Sequence, residues 1–126
     1  MAVMMALALA VFQYGSCQSG GPDRARTAPE AARAYFQGLE ERNAGPIRWV
    51  TRPGAVWRLP SETLTDLEFY DRLKPTDRPN QYPVITGMAG TATEIAVVTR
   101  LRGVDDSEAL TVMTVDNGCI TSVTVF

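Results

Sequence analysis

The sequence predicts an α+β domain with helices laid on one side of a curved antiparallel sheet. Three observations lead there. Apolar residues recur at helical spacing early in the chain, they alternate with a period of two from Tyr82 onward, and Asn117-Gly118 marks a late hairpin turn. At 126 residues, 45% apolar and 21% charged, the chain has the make-up of one globular domain.

Thr27-Ala28-Pro29-Glu30 opens the first helix, with Thr27 as cap, Glu30 at the capping-box position and proline tolerated in the first turn. Ala28, Ala32, Tyr35, Phe36 and Leu39 form its apolar face, and Asn43-Ala44-Gly45-Pro46 stops it. Ile47, Trp49 and Val50 belong to a shorter apolar turn, and Ala55-Val56-Trp57-Arg58-Leu59-Pro60 reads as a short strand. A third helix is expected over residues 61–73, with Leu64, Leu67, Phe69, Tyr70 and Leu73 inward. Pro75, Pro79 and Pro83 then bound a loop that cannot be helical.

In the strands that follow, Ile95, Val97, Thr99 and Leu101 make one drier face. Residues 103–107 turn the chain, and residues 109–115 and 119–126 flank Asn117-Gly118. A two-residue type I′ turn fixes the pairing by counting outward: Asp116 meets Cys119, Val115 meets Ile120, Thr114 meets Thr121 and Val112 meets Val123. Leu110, Val112, Val123 and Val125 then form the core face. Met113, Val115, Ile120 and Phe126 fall on the other, apolar enough to seek cover from a second copy of the chain.

The N-terminus is set apart. Residues 1–17 carry no charge, and residues 2–12 are an unbroken apolar run of eleven. That is short of the roughly 20 residues needed to span a bilayer and suits the apolar region of an export signal. With Tyr14-Gly15-Ser16-Cys17 and the polar stretch after it, the segment resembles a bacterial lipoprotein signal. The resemblance implies a lipidated Cys17, residues 18–26 as a flexible tether, a domain over 27–126 and attachment to the cell-envelope membrane. Tyr14 stands where an aliphatic is usual, and no basic residue precedes the apolar run. A plain secretory signal and a buried apolar helix are the alternatives. Cys119 is a shielded thiol if Cys17 is lipidated; otherwise a bridge between the two is conceivable, though the intervening flexible segment gives it no geometric support.

Composition narrows the chemistry. Twelve Lys+Arg against fourteen Asp+Glu leave a net charge of −2, so nucleic acid is not an expected partner. The chain has no histidine, which removes Ser-His-Asp and Cys-His catalysis and His-bearing zinc sites, and two cysteines are too few for a Cys-rich metal centre. No cofactor motif is present. Tyr35, Leu39, Trp49, Trp57, Phe69 and Tyr70 are the residues that could line a pocket; core packing is the competing reading for the aromatics. Glu62, Asp66, Glu68 and Asp71 make an acidic stretch, with Glu62 and Asp66 expected on one helix face.

The order of these pieces over residues 28–126 resembles the NTF2-like superfamily, which includes SnoaL-like cyclases and ketosteroid isomerases. The resemblance rests on Ala31-Ala32-Arg33-Ala34-Tyr35-Phe36-Gln37-Gly38-Leu39, on Ala55-Val56-Trp57-Arg58-Leu59-Pro60 and on the hairpin Val115-Asp116-Asn117-Gly118-Cys119-Ile120-Thr121-Ser122-Val123. It implies a cone whose sheet curls around an apolar pocket. Tyr35 falls about where isomerases carry an oxyanion-donating tyrosine, but Leu59 stands at the position of their general base, and an aliphatic side chain cannot take a proton. The resemblance therefore favours a non-catalytic binder of a small apolar ligand or an envelope protein. An enzyme working from Tyr35 and a carboxylate such as Asp66 or Asp71, or a structural dimerisation module, are the competing classes.

Overall fold

Thr27 and Glu30 form the expected reciprocal cap: Glu30 N donates to Thr27 Oγ1 at 3.3 Å, and Thr27 N donates to Glu30 Oε1 at 3.3 Å. They start helix α1, Ala28–Glu41, in a computed structural model that describes residues 16–19, 26–73, 82–102 and 107–126. Arg42, in the left-handed region at φ 52°, ends the helix, and Asn43 caps the six-residue α2, Ala44–Trp49. Between them Gly38 permits a close crossing, since a Cβ there would stand 2.5 Å from Ile47 Cγ1.

Strand β1, Thr51–Arg58, is followed by β2, Thr63–Thr65, and helix α3, Asp66–Arg72. The expected helix over residues 61–73 is thus strand over residues 63–65 and helix only from Asp66 to Arg72. Leu64 pairs with Trp57, and the helix waits for a second capping box, Thr65 with Glu68. Glu62 lies outside the helix, paired with Arg72 at 2.8 Å, so it does not share a helix face with Asp66. Leu67, expected inward, is 70% exposed, while Leu64, Tyr70 and Leu73 are buried.

Strands β3 (Tyr82–Gly90), β4 (Glu94–Arg102), β5 (Glu108–Asp116) and β6 (Cys119–Val125) complete one six-stranded sheet in the order β2-β1-β6-β5-β4-β3. Every pair is antiparallel except β1 and β6, so the sheet is mixed, not wholly antiparallel. Pro83, expected in a loop, lies in β3, an edge strand that tolerates its missing N–H. The Pro75 and Pro79 loop and residues 103–106 lie outside the described residues.

The β5–β6 hairpin turns as expected, with Asn117 and Gly118 both at positive φ, the type I′ requirement. Its inner register also follows expectation, Asp116 with Cys119 and Val115 with Ile120. Thr121 then bulges out, its hydroxyl donating to Thr114 O at 3.3 Å, and Thr114 pairs with Ser122. One extra residue reverses the parity of everything beyond it. Met113 therefore pairs with Val123, and both are buried, as are Val115 and Ile120. Leu110 and Val112 move to the outer face. The expected core and outer sets on β5 are exchanged, and Met113 and Ile120, expected on a face seeking cover from a second copy, are fully inside this chain's own core. On β4 the expected inner face, Ile95, Val97 and Thr99, is buried as read, with Leu101 half-buried.

Candidate functional site

Helix α1 brings Tyr35 and Phe36 against the sheet, β1 brings Trp57, and α3 brings Phe69 and Tyr70. Four of the six expected pocket residues meet, but by filling the space. The Trp57 and Phe69 rings stack with centroids 4.3 Å apart and planes 9° from parallel. Tyr70 sits edge-on to Trp57 at 5.8 Å, and Tyr35 lies 6.2 Å from Phe69. Leu39 packs against this core from its edge. Trp49 does not join: it is 48% exposed. Ile47 occupies the buried side of α2, and a residue two positions on faces elsewhere on a helix.

Tyr35 Oη accepts a hydrogen bond from Trp57 Nε1 at 3.0 Å, deep in the core. Burial pushes the Tyr35 hydroxyl well above its ordinary ionisation range, and the Trp57 bond only partly offsets that. A tyrosine so placed, only 3% exposed, is a packing residue whose hydroxyl faces the core and not a donor open to a ligand. Burial also pushes Tyr70 up to about 12, opposed by nearby Thr51 and Arg48. Its hydroxyl has no partner in hydrogen-bond geometry. Thr51 Oγ1 donates instead to Ile47 O at 2.6 Å, and the Arg48 guanidinium lies 4.5 Å over the Tyr70 ring.

Of the two candidate carboxylates, Asp66 is engaged in architecture. Its Oδ2 accepts from Gly54 N at 3.0 Å and its Oδ1 from Leu67 N at 2.9 Å, fixing the β1 irregularity at Gly54 (φ 84°) to the start of α3. Asp71 is exposed. Arg72 holds the Glu62 carboxyl below its usual range by hydrogen bonding at the surface. Leu59 follows β1 and packs against the core. Among the described residues no group of three His, Cys, Asp or Glu could hold a metal ion, and no helix is long and apolar enough to cross a membrane.

Open volume lies elsewhere, along the seam between α1 and the β3 edge. A cavity of about 960 Å³ is bounded by the N-terminal turn of α1, by Met88 to Thr93, by Ile95 and by the β5–β6 turn. A second hollow of about 280 Å³ lies farther along, between Phe36, Gln37 and Glu40 of α1 and residues 82–85 of β3. Arg33 lines both. Gly90 allows β3 to meet β4 where a Cβ would strike Glu94 O, but no motif in the sequence marks the cavity.

Cys17 is bonded to Cys119, with Cα atoms 5.8 Å apart and both residues completely buried. The bridge open to doubt from sequence is therefore formed, and a thioether to lipid needs the same sulfur. The tether expected over residues 18–26 is fastened at both described ends. Gln18 Nε2 donates to Thr51 O at 2.7 Å, and Arg26, itself buried, donates to Cys17 Sγ at 3.2 Å and Gly118 O at 3.5 Å.

Helices followed by this six-stranded mixed sheet, with α1 across its inner face, define an NTF2-like α+β cone. Solved structures agree with that fold. An NTF2-like protein of unknown function from Cytophaga hutchinsonii superposes with a TM-score of 0.68 at 12% identity, over 80% of this chain and 89% of that one. A candidate ketosteroid isomerase from Kribbella flavida gives 0.68 at 19% identity, over 83% and 78%. A candidate SnoaL-like polyketide cyclase from Jannaschia sp. gives 0.64 at 14%, over 78% and 83%. No protein-family model and no curated protein matches the sequence. Likeness at these identities carries the fold and no activity.

Proposed function

We propose that the chain is an exported, non-catalytic binding module of the bacterial envelope or secreted space. It takes a small amphipathic molecule in the α1–β3 seam instead of the cone centre. The observation that carries this reading is the division of space: aromatic side chains fill the cone around Tyr35, while about 960 Å³ stays open beside Arg33. That volume suits one small ligand. Met88, Ala89 and Ile95 offer an apolar wall, and Arg33 offers a cation to a polar or anionic end. The apolar run of residues 2–12 and a disulfide both suit export to an oxidising compartment.

Native mass spectrometry of the exported protein tests it. A bound small molecule in the wild type, lost in Ala89→Trp while the fold is kept, supports the seam; an adduct that survives Ala89→Trp argues against it.

A second reading, self-association, rests on the outer sheet face. There Ala96 pairs with Val112 and Val98 with Leu110, an apolar patch that includes a Leu110 39% exposed. The enzyme reading borrowed from neighbours described as isomerases and cyclases has less support, since Asp66 is committed to backbone hydrogen bonds and Tyr35 is buried among packed aromatic rings.

A further inference from the structure

We propose that Cys17 is the N-terminal half of a permanent disulfide latch and not a lipid-attachment site. Export processing then cuts on the N-terminal side of Cys17 and leaves its thiol for oxidation with Cys119. Three independent features converge on the residue. Its sulfur and that of Cys119 are wholly inside, a position with no room for a diacylglyceryl thioether. The next residue, Gln18, is tied to β1 through Thr51 O. Arg26 returns to cover the bridge, its guanidinium on Cys17 Sγ and on Gly118 O, next to the tight turn that presents Cys119.

Lipid on Cys17 would draw this sulfur out to the bilayer. Arg26 would then be left buried without its sulfur acceptor, and Cys119 would remain a buried lone thiol. In the latch, two thiols form one S–S bond. Their two protons and two electrons pass to the disulfide of an exported thiol oxidase, which becomes a dithiol. Burial then keeps soluble thiols from the bond, so the latch is structural and not a switch.

The test uses the full chain exported from a bacterium fed labelled fatty acid, followed by intact mass measurement with alkylation before and after reduction. The latch predicts a protein free of label in the soluble envelope fraction, with no alkyl group added before reduction under denaturing conditions and two after it. Fatty-acid label on the peptide carrying residue 17, or two alkylatable thiols in the untreated wild type, overturns it. Cys119→Ser supplies a second arm. It should take up one alkyl group at Cys17 and stay unlabelled, and acylation of Cys17 in this variant also overturns the latch.

Discussion

Trp57 Nε1 donates to Tyr35 Oη at 3.0 Å, joining the first strand to the first helix through the only polar atoms of two large buried rings. This bond ties the two rings together at the closed cone centre. Tyr35→Phe strips the acceptor and leaves a buried indole N–H without a partner, a loss of about 1–3 kcal/mol. Calorimetry should show a melting temperature lower by roughly 4–8 °C for each kcal/mol. In Tyr35→Phe/Trp57→Phe the losses should fall short of additive, because the second change removes the orphaned donor.

Tyr70→Phe should behave in the opposite way. Its hydroxyl is buried without a hydrogen-bond partner, so removing it discards a desolvation cost and keeps the ring against Trp57. Stability should be unchanged or rise by up to about 1 kcal/mol. A loss as large as that of Tyr35→Phe would mean that the hydroxyl has an engaged partner in solution.

Alkali should unfold the protein through these two tyrosines. Burial raises Tyr70 to about 12 and Tyr35 further, both above the ordinary value of about 10. For an acid whose folded pKa is raised, the stabilisation is complete below the unfolded pKa and disappears as pH rises toward the folded one. Melting temperatures should therefore carry no tyrosine-dependent slope below about pH 9 and fall between about pH 10 and 12. Tyr70→Phe should make that fall shallower.

Reduction tests the tie between the chain's beginning and its last hairpin. The bond spans 102 residues, and a loop of that size contributes about 2–5 kcal/mol by restricting the unfolded chain. Reduced protein should melt well below the oxidised form. Equal melting temperatures would show that the Cys17 segment adds nothing to the domain.

Gly38→Ala checks the helix crossing. Alanine favours a helix by about 1 kcal/mol, yet a Cβ here meets Ile47 Cγ1 at 2.5 Å and Asn43 O at 3.0 Å. The variant should be destabilised despite its propensity, as thermal unfolding would show.

Much of the fold was legible because local rules and tertiary packing agree. Thr27 and Glu30 cap α1 as their spacing says, Asn117-Gly118 turns the hairpin, and Ile95, Val97 and Thr99 face inward. The errors have physical sources. Thr121 inserts one residue into β6, and a period of two cannot survive an insertion that local sequence does not announce. The helix expected from residue 61 overlooked Thr65 and Glu68, a capping box that dates its true start, and Trp57, whose pairing with Leu64 draws residues 63–65 into the sheet. The aromatic cluster was visible as composition, but whether it lined or filled a space depended on ring stacking that only the assembled fold sets. The seam cavity had no motif, because strands distant in sequence from α1 build it.

The most direct test of the seam as the binding site is two-dimensional amide NMR, using the aromatic sulfonate anilinonaphthalene sulfonate as an amphipathic anionic probe. The account predicts shifts at Arg33, Met88, Gly90, Thr93 and Ile95, with the Trp57 indole N–H signal unmoved because its bond to Tyr35 stays closed. A probe that moves the Trp57 indole signal while leaving the β3–β4 turn and Arg33 silent would place the ligand in the cone and contradict it.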